Sequence, residues 1–161
     1  MPGKVSVINA SPLILLGKLR HLQLLQALIQ DLRVPAAVFS EIKAGAGKDH
    51  SVHATLSWAE HKVVEDIPVP QAIMAWDIGA GESQVIAHCL MGNYRAILDD
   101  NKARACASSF SIPIIGTLGI IMRAKQQGLI PQARPLIENL CNSGSFLSDK
   151  LIQEVLHKLG E

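Results

Sequence analysis

The chain is 161 residues long, 48% apolar, 18% charged and 4% aromatic, with a formal net charge of +1. That suits a single domain over 1–161 with one sizeable core. It excludes an intrinsically disordered chain and a basic protein that coats nucleic acid through bulk electrostatics. Cys89, Cys106 and Cys141 form no C-x-x-C pair and read as reduced core thiols of a cytosolic protein. The longest nearly apolar run, Ile112 to Met122, is about half the roughly 20 residues that span a bilayer, so no membrane segment is expected. The N-terminus lacks the apolar core of a signal peptide.

Lys4–Ile8 is short and β-branched, which predicts a first buried strand ending at Asn9. Ser11-Pro12 is expected to open a helix with Ser11 as its cap, carried by Leu13 to Leu16 and stopped at Gly17. A second helix over His21–Gln30 places Leu22, Leu25, Leu28 and Ile29 on one face. Leu24 falls off that stripe and is a candidate for a dimer or antitoxin surface. Leu32–Pro35 predicts a second strand, and Ala36–Ala44 a helix. Residues 45–70 are the least readable, with a loop marked by Gly45, Gly47 and Lys48 and an edge strand within Lys62–Ile67 bounded by Pro68 and Pro70. Glu82–Met91 is helical with Val85, Ile86, Cys89 and Leu90 on one stripe, stopped by Gly92.

Arg95–Leu98 predicts a strand, Asn101–Ser108 a helix and Ile112–Ile115 another strand. Gly116-Thr117 starts a helix that Gly128 ends. Pro131 begins one with Leu136, Ile137 and Leu140 inward, ended by Gly144. Ser148 begins the last, with Leu151, Ile152, Val155, Leu156 and Leu159 inward. Strands alternating with helices predict an α/β domain with a parallel sheet.

In such sheets ligands gather beyond the carboxyl ends of the strands. Asn9 ends one strand there, and Asp99-Asp100 end another. A helix that precedes a parallel strand starts at the same edge, which puts Glu82 beside them. Glu82 shares the stripe of Val85, Ile86 and Cys89, so it points toward the sheet. Glu41, beside Ile42, faces the same way from deeper in its helix. Oxygen donors of this kind suit Mg²⁺ or Mn²⁺. The same residues also have ordinary uses, Glu82 as a dipole partner and Asp99 or Asp100 as a helix cap.

Several segments together resemble the PIN-domain family, and more narrowly its prokaryotic branch close to VapC-type toxins. They are Val7-Ile8-Asn9-Ala10-Ser11-Pro12-Leu13-Ile14, Val34-Pro35 with Val38 and Glu41-Ile42, and Gly81-Glu82-Ser83. Ile97-Leu98-Asp99-Asp100 with Ala103-Arg104 and Ile115-Gly116-Thr117-Leu118-Gly119 continue the match. The tail adds Lys125–Gly128, Leu129-Ile130-Pro131, Arg134-Pro135-Leu136 and Phe146-Leu147-Ser148-Asp149.

The resemblance implies a three-layer α/β/α fold, a Mg²⁺- or Mn²⁺-binding acidic pocket and endoribonuclease activity. The implied partners are RNA, single-stranded or structured, an antitoxin protein and a second copy in a homodimer. By position, Glu41, Glu82, Asp99 and Asp100 become the catalytic and metal-binding carboxylates. Asn9 stands where the family has an aspartate, and Ser11 and Thr117 supply hydroxyls behind the ligands. The spacing leaves open which of Asp99 and Asp100 is the ligand. Losing a carboxylate at Asn9 weakens divalent-metal binding, so a pocket that binds without cutting is the alternative.

Lys102 and Arg104, with Arg123, Lys125 and Arg134, flank the proposed pocket and are candidates for phosphate contacts. With six aromatic residues in the chain, little base stacking is expected. Gly45-Ala46-Gly47-Lys48 lacks the earlier glycine and the Ser/Thr of a phosphate-binding loop. Gly79-Ala80-Gly81 lacks the third glycine of a dinucleotide fingerprint. His50, His53 and His61 read as solvated loop residues rather than a zinc site. His88 and Cys89 are adjacent on a helix and point apart, which excludes a Cys/His nucleophile pair.

Overall fold

A computed structural model describes residues 5–143, 145 and 147–161. The expected strand start at Lys4, the helix stop at Gly144 and the tail's Phe146 lie outside the described residues. Strand β1 is Val5–Ile8, with Val7 and Ile8 wholly buried. Helix α1 is Ala10–Lys18, so it opens earlier than expected: Asn9 is its extended cap residue, and Ser11 and Pro12 lie in its first turn. Gly17 does not end the helix. It is the point where Thr55 of a later helix closes on α1, and a side chain there would collide with that threonine.

Helix α2 is Leu22–Leu28 and β2 is Asp31–Pro35. Leu24 is only 3% exposed, which corrects its reading as a dimer or antitoxin surface. Burial of that side chain contributes about 2 kcal/mol to the fold instead. Helix α3, Ala36–Ala44, has the expected bounds. Helix α4, His50–Ala59, replaces the expected loop and carries His50 and His53. Its cap is Asp49, which accepts from the Ser51 and Val52 backbone amides at 2.9 and 3.4 Å. The spare apolar residues of α4, Val52, Thr55 and Ala59, pack it against α1 and α3.

After a short 3₁₀ turn comes β3, Val63–Val64, at the sheet edge, and then the single turn α5, Gln71–Met74. Helix α6, Ala80–Gly92, ends on Asn93 in the left-handed conformation (φ 58°), and β4 is Arg95–Ile97. Helix α7 is Asn101–Ser109, capped by the Asp100 side chain, and β5 is Ile114–Ile115. Helix α8 is Thr117–Gln126. Helix α9, Arg134–Asn142, starts three residues after Pro131, with Pro135 in its first turn. Helix α10, Asp149–Lys158, is capped by Ser148, whose hydroxyl accepts from the Leu151 amide at 3.1 Å. Val155 and Leu156 face inward as expected, whereas Leu151 is exposed.

All five strands are parallel, in the order β3-β2-β1-β4-β5, with helices on both faces in a three-layer α/β/α fold. The chain winds outward from β1 to β3, crosses back to β4 on the other side of β1, and ends at β5. The strand order therefore reverses between β1 and β4. A crevice opens at that point beyond the carboxyl ends of the strands. Ile8 pairs with Ile97, and the Asn9 amide donates to the Ile97 carbonyl at 3.1 Å, which locks the two strand ends side by side.

Candidate functional site

Asn9 follows β1 directly and is 5% exposed. Its side-chain oxygen Oδ1 is buried and has no hydrogen-bond partner. A buried polar atom without a partner costs roughly 1–3 kcal/mol, so a hydrogen-bond donor or a cation placed there would be stabilising. Next to it stands Gly81, in the first turn of α6. A Cβ on Gly81 would lie 2.6 Å from Glu41 Oε2 and 3.4 Å from Asn9 Oδ1. The missing side chain thus leaves a cradle between an amide oxygen from β1 and a carboxylate from α3. Glu41 reaches this point although it lies on the exposed side of α3.

Glu82, one residue on, is half-buried. Burial pushes its carboxyl above the ordinary range, and the charges of Asp100 and then Glu41 add to the shift, together with a hydrogen bond to Asp100. Desolvation and like charge both disfavour the ionised form, and both are present here. Glu82, Asp100 and Glu41 are therefore neighbours in one pocket, with Asn9 at its floor.

The adjacent aspartates separate at the end of β4. Asp100 turns toward Glu82 and caps α7, accepting from the Ala103 amide at 3.0 Å. Asp99 turns toward β5: its Oδ1 accepts from the Thr117 amide at 2.8 Å and its Oδ2 from the Thr117 hydroxyl at 2.6 Å. Thr117 is 1% exposed and Asp99 partly so, and their part-buried clamp ties the start of α8 to the end of β4. Ser11, expected behind the ligands, is exposed in the first turn of α1.

Among the described residues, four of the five basic candidates, all but Arg123, already donate one hydrogen bond within the chain. Lys102 donates to the Asp77 carbonyl at 3.3 Å, and Arg104 to the Leu98 carbonyl at 3.2 Å. Lys125 donates to the Pro131 carbonyl at 2.7 Å, and Arg134 to the Glu161 carbonyl at 3.0 Å. Among the described residues no three His, Cys, Asp or Glu side chains are already drawn together at metal-holding distance. The donors nonetheless fit a hard cation in kind: the partnerless Asn9 oxygen, the cradle above it and the repelling carboxylates around it.

Sequence reasoning reached the acidic residues but missed Gly81 as the space between them. The signal was a small residue directly before Glu82 at a helix start, which acquires meaning only once α3 is seen opposite. It also missed that Thr117 binds Asp99 through two groups, because residues 99 and 117 meet only across the β4–β5 pairing.

A parallel α/β/α sheet with oxygen donors at its switch point defines a domain that meets its ligand at the carboxyl edge. A family model described as a PIN domain matches residues 5–161, and the chain belongs to the PIN-domain family. Membership points to a nuclease, generally metal-dependent, and to RNA as the partner. No curated protein matches the chain. No helix among the described residues is long and apolar enough to cross a membrane.

Proposed function

We propose that the protein is an endoribonuclease that hydrolyses phosphodiester bonds with Mg²⁺ or Mn²⁺ held at this pocket. The carrying observation is the buried, partnerless Asn9 oxygen facing the Gly81 cradle beside Glu41. Asn9 Oδ1, Glu41 and Asp100 are the groups that would hold the ion. When bound, such an ion orients the attacking water and neutralises charge on the phosphate. Glu82, whose proton affinity is raised, orients that water and takes its proton. Asp99, with both oxygens engaged by Thr117, fixes the end of β4 so that Asp100 faces the pocket.

The order of the motifs supports the toxin branch of the family, with an antitoxin partner, a homodimer and a cytosolic setting. A short upstream gene for a DNA-binding antitoxin would support that role. The neutral Asn9 favours one second reading, a pocket that binds RNA or a partner protein without cutting. The test is Mn²⁺ titration by calorimetry on metal-stripped protein, followed by cleavage of an RNA mixture with and without EDTA. Cleavage that EDTA and Glu82→Gln both abolish supports the nuclease. Mn²⁺ binding by Asn9→Asp alone, with no cleavage by the wild type, supports the binding module. No binding by any variant overturns the metal reading.

A further inference from the structure

Beside the pocket, α5 and the turn after it carry an apolar surface that the proposed metal chemistry does not use. Met74 is 58% exposed, and Trp76 is partly exposed while its body packs on the core. Two successive backbone bonds shape the turn, from the Trp76 amide to the Ile73 carbonyl and from the Asp77 amide to the Met74 carbonyl. Asp77 then takes a left-handed conformation (φ 52°), which turns the chain into α6.

Two contacts hold this turn at the pocket. Lys102 donates from Nζ to the Asp77 carbonyl at 3.3 Å, and Lys102 lies two residues after Asp100. A Cβ on Gly79 would lie 3.4 Å from Glu82 Oε1, so the end of the turn touches the acidic cluster itself. The backbone just after Trp76 is thereby held close to Lys102 and Glu82.

We infer that Trp76 is the surface on which an unpaired base of the RNA stacks, which selects single-stranded over base-paired substrate. This rests on the proposed RNA reading of the pocket and deepens it. The charge arrangement favours stacking. The net charge is only +1, so attraction of phosphates to the chain as a whole is weak. Affinity from phosphate contacts is correspondingly limited, and an aromatic face supplies affinity for any base that is not buried in a duplex. Lys102 acts as a positioning residue for the turn.

The experiment uses Trp58→Phe protein, in which Trp76 is the one remaining tryptophan of the two in the chain. Its emission is followed while a short single-stranded 2′-O-methyl oligoribonucleotide is titrated with Mn²⁺ present, the oligonucleotide's integrity being checked on a gel. Saturable quenching is expected, absent with the same strand in a duplex. Read by anisotropy of a dye-labelled strand, Trp76→Ala should weaken binding about tenfold, Trp76→Phe much less, and abasic sites in the strand should erase the difference. Binding with unchanged emission and equal affinity for Trp76→Ala overturns the inference and leaves the nuclease reading standing. Mn²⁺ binding without oligonucleotide binding by any variant overturns the RNA reading itself.

Discussion

At the amino edge of the sheet, Arg33 bonds Asp31 at 3.1 Å and the Tyr94 hydroxyl at 3.2 Å, and lies 5.0 Å from the centre of the Tyr94 ring. Lys62 sits 4.2 Å over the ring of Trp58 at the same edge. Asp31, Arg33 and Lys62 border a cavity of about 570 Å³ lined also by Gln26, Gln30 and Val63. At the carboxyl edge the pattern is reversed: the Asn9 oxygen has no partner, and Glu82 is pushed toward its neutral form by burial and by Asp100 and Glu41. Paired charge stabilises a fold modestly, whereas crowded like charge costs stability and is retained where a ligand offsets it. The amino edge accordingly reads as structural, and the acidic carboxyl edge is where the proposed function places the chemistry.

The largest effect should come from blocking the crevice. Gly81→Ala places a methyl 2.6 Å from the flexible end of Glu41, 3.2 Å from the buried Val38, which must give by a few tenths of an ångström, and 3.4 Å from Asn9. Calorimetry should show Mn²⁺ affinity falling at least about tenfold, while Tm stays within about 3 °C because the carboxylate can swing aside. Unchanged Mn²⁺ binding would break the contrast between the two edges.

Thr117→Ala comes next. It removes the buried hydroxyl that donates to Asp99 at 2.6 Å and should cost about 2 kcal/mol in denaturant unfolding, most of which Thr117→Ser restores. The clamp would be shown unimportant if both variants unfold together with the wild type. At the other edge, Arg33→Ala should cost about 1 kcal/mol or less, since its side chain and that of Asp31 are 33% and 47% exposed. Its Mn²⁺ affinity should match the wild type; a loss there would mean that the edges are coupled.

The smallest effect concerns the sign of the Glu82 charge. Its folded pKa is raised above the ordinary value of 4.5, so its contribution to stability is present below that value and is lost as pH rises through the folded pKa. In metal-free protein at pH 7, Glu82→Gln should therefore raise Tm by up to about 2 °C. With Mn²⁺ present the order should invert, because the wild type alone gains from the ion. A metal-free Glu82→Gln that melts below the wild type would place the glutamate in a stabilising pair instead. Cys89 offers a control away from both edges: burial pushes its thiol up to about 12, so it should resist maleimide at pH 8 until the protein unfolds.

The site was legible as far as each residue's own element reports it. Glu82 could be aimed at the sheet because Val85, Ile86 and Cys89 share its stripe, and α6 buries that stripe. Asp99 and Asp100 could not be told apart, since adjacent residues at a strand end carry the same local signal. Thr117 separates them by binding Asp99 from α8, at the far side of β4. Helix α4 escaped notice because its glycine-rich approach and four histidine or serine positions obscure a weak apolar stripe. The stripe becomes a face only when Thr55 meets Gly17.

By itself the sequence determined the alternation of strands and helices, the cap at Ser148 and the acidic or amide residue types at the strand ends, because each depends on neighbours within a turn or two. The tertiary structure alone decided that β4 lies beside β1, that Leu24 is buried, and that Gly81 leaves room between Asn9 and Glu41. Those outcomes depend on residues 30 or more positions apart along the chain, and no local pattern encodes which of several strand orders lets all of them bury their apolar faces together.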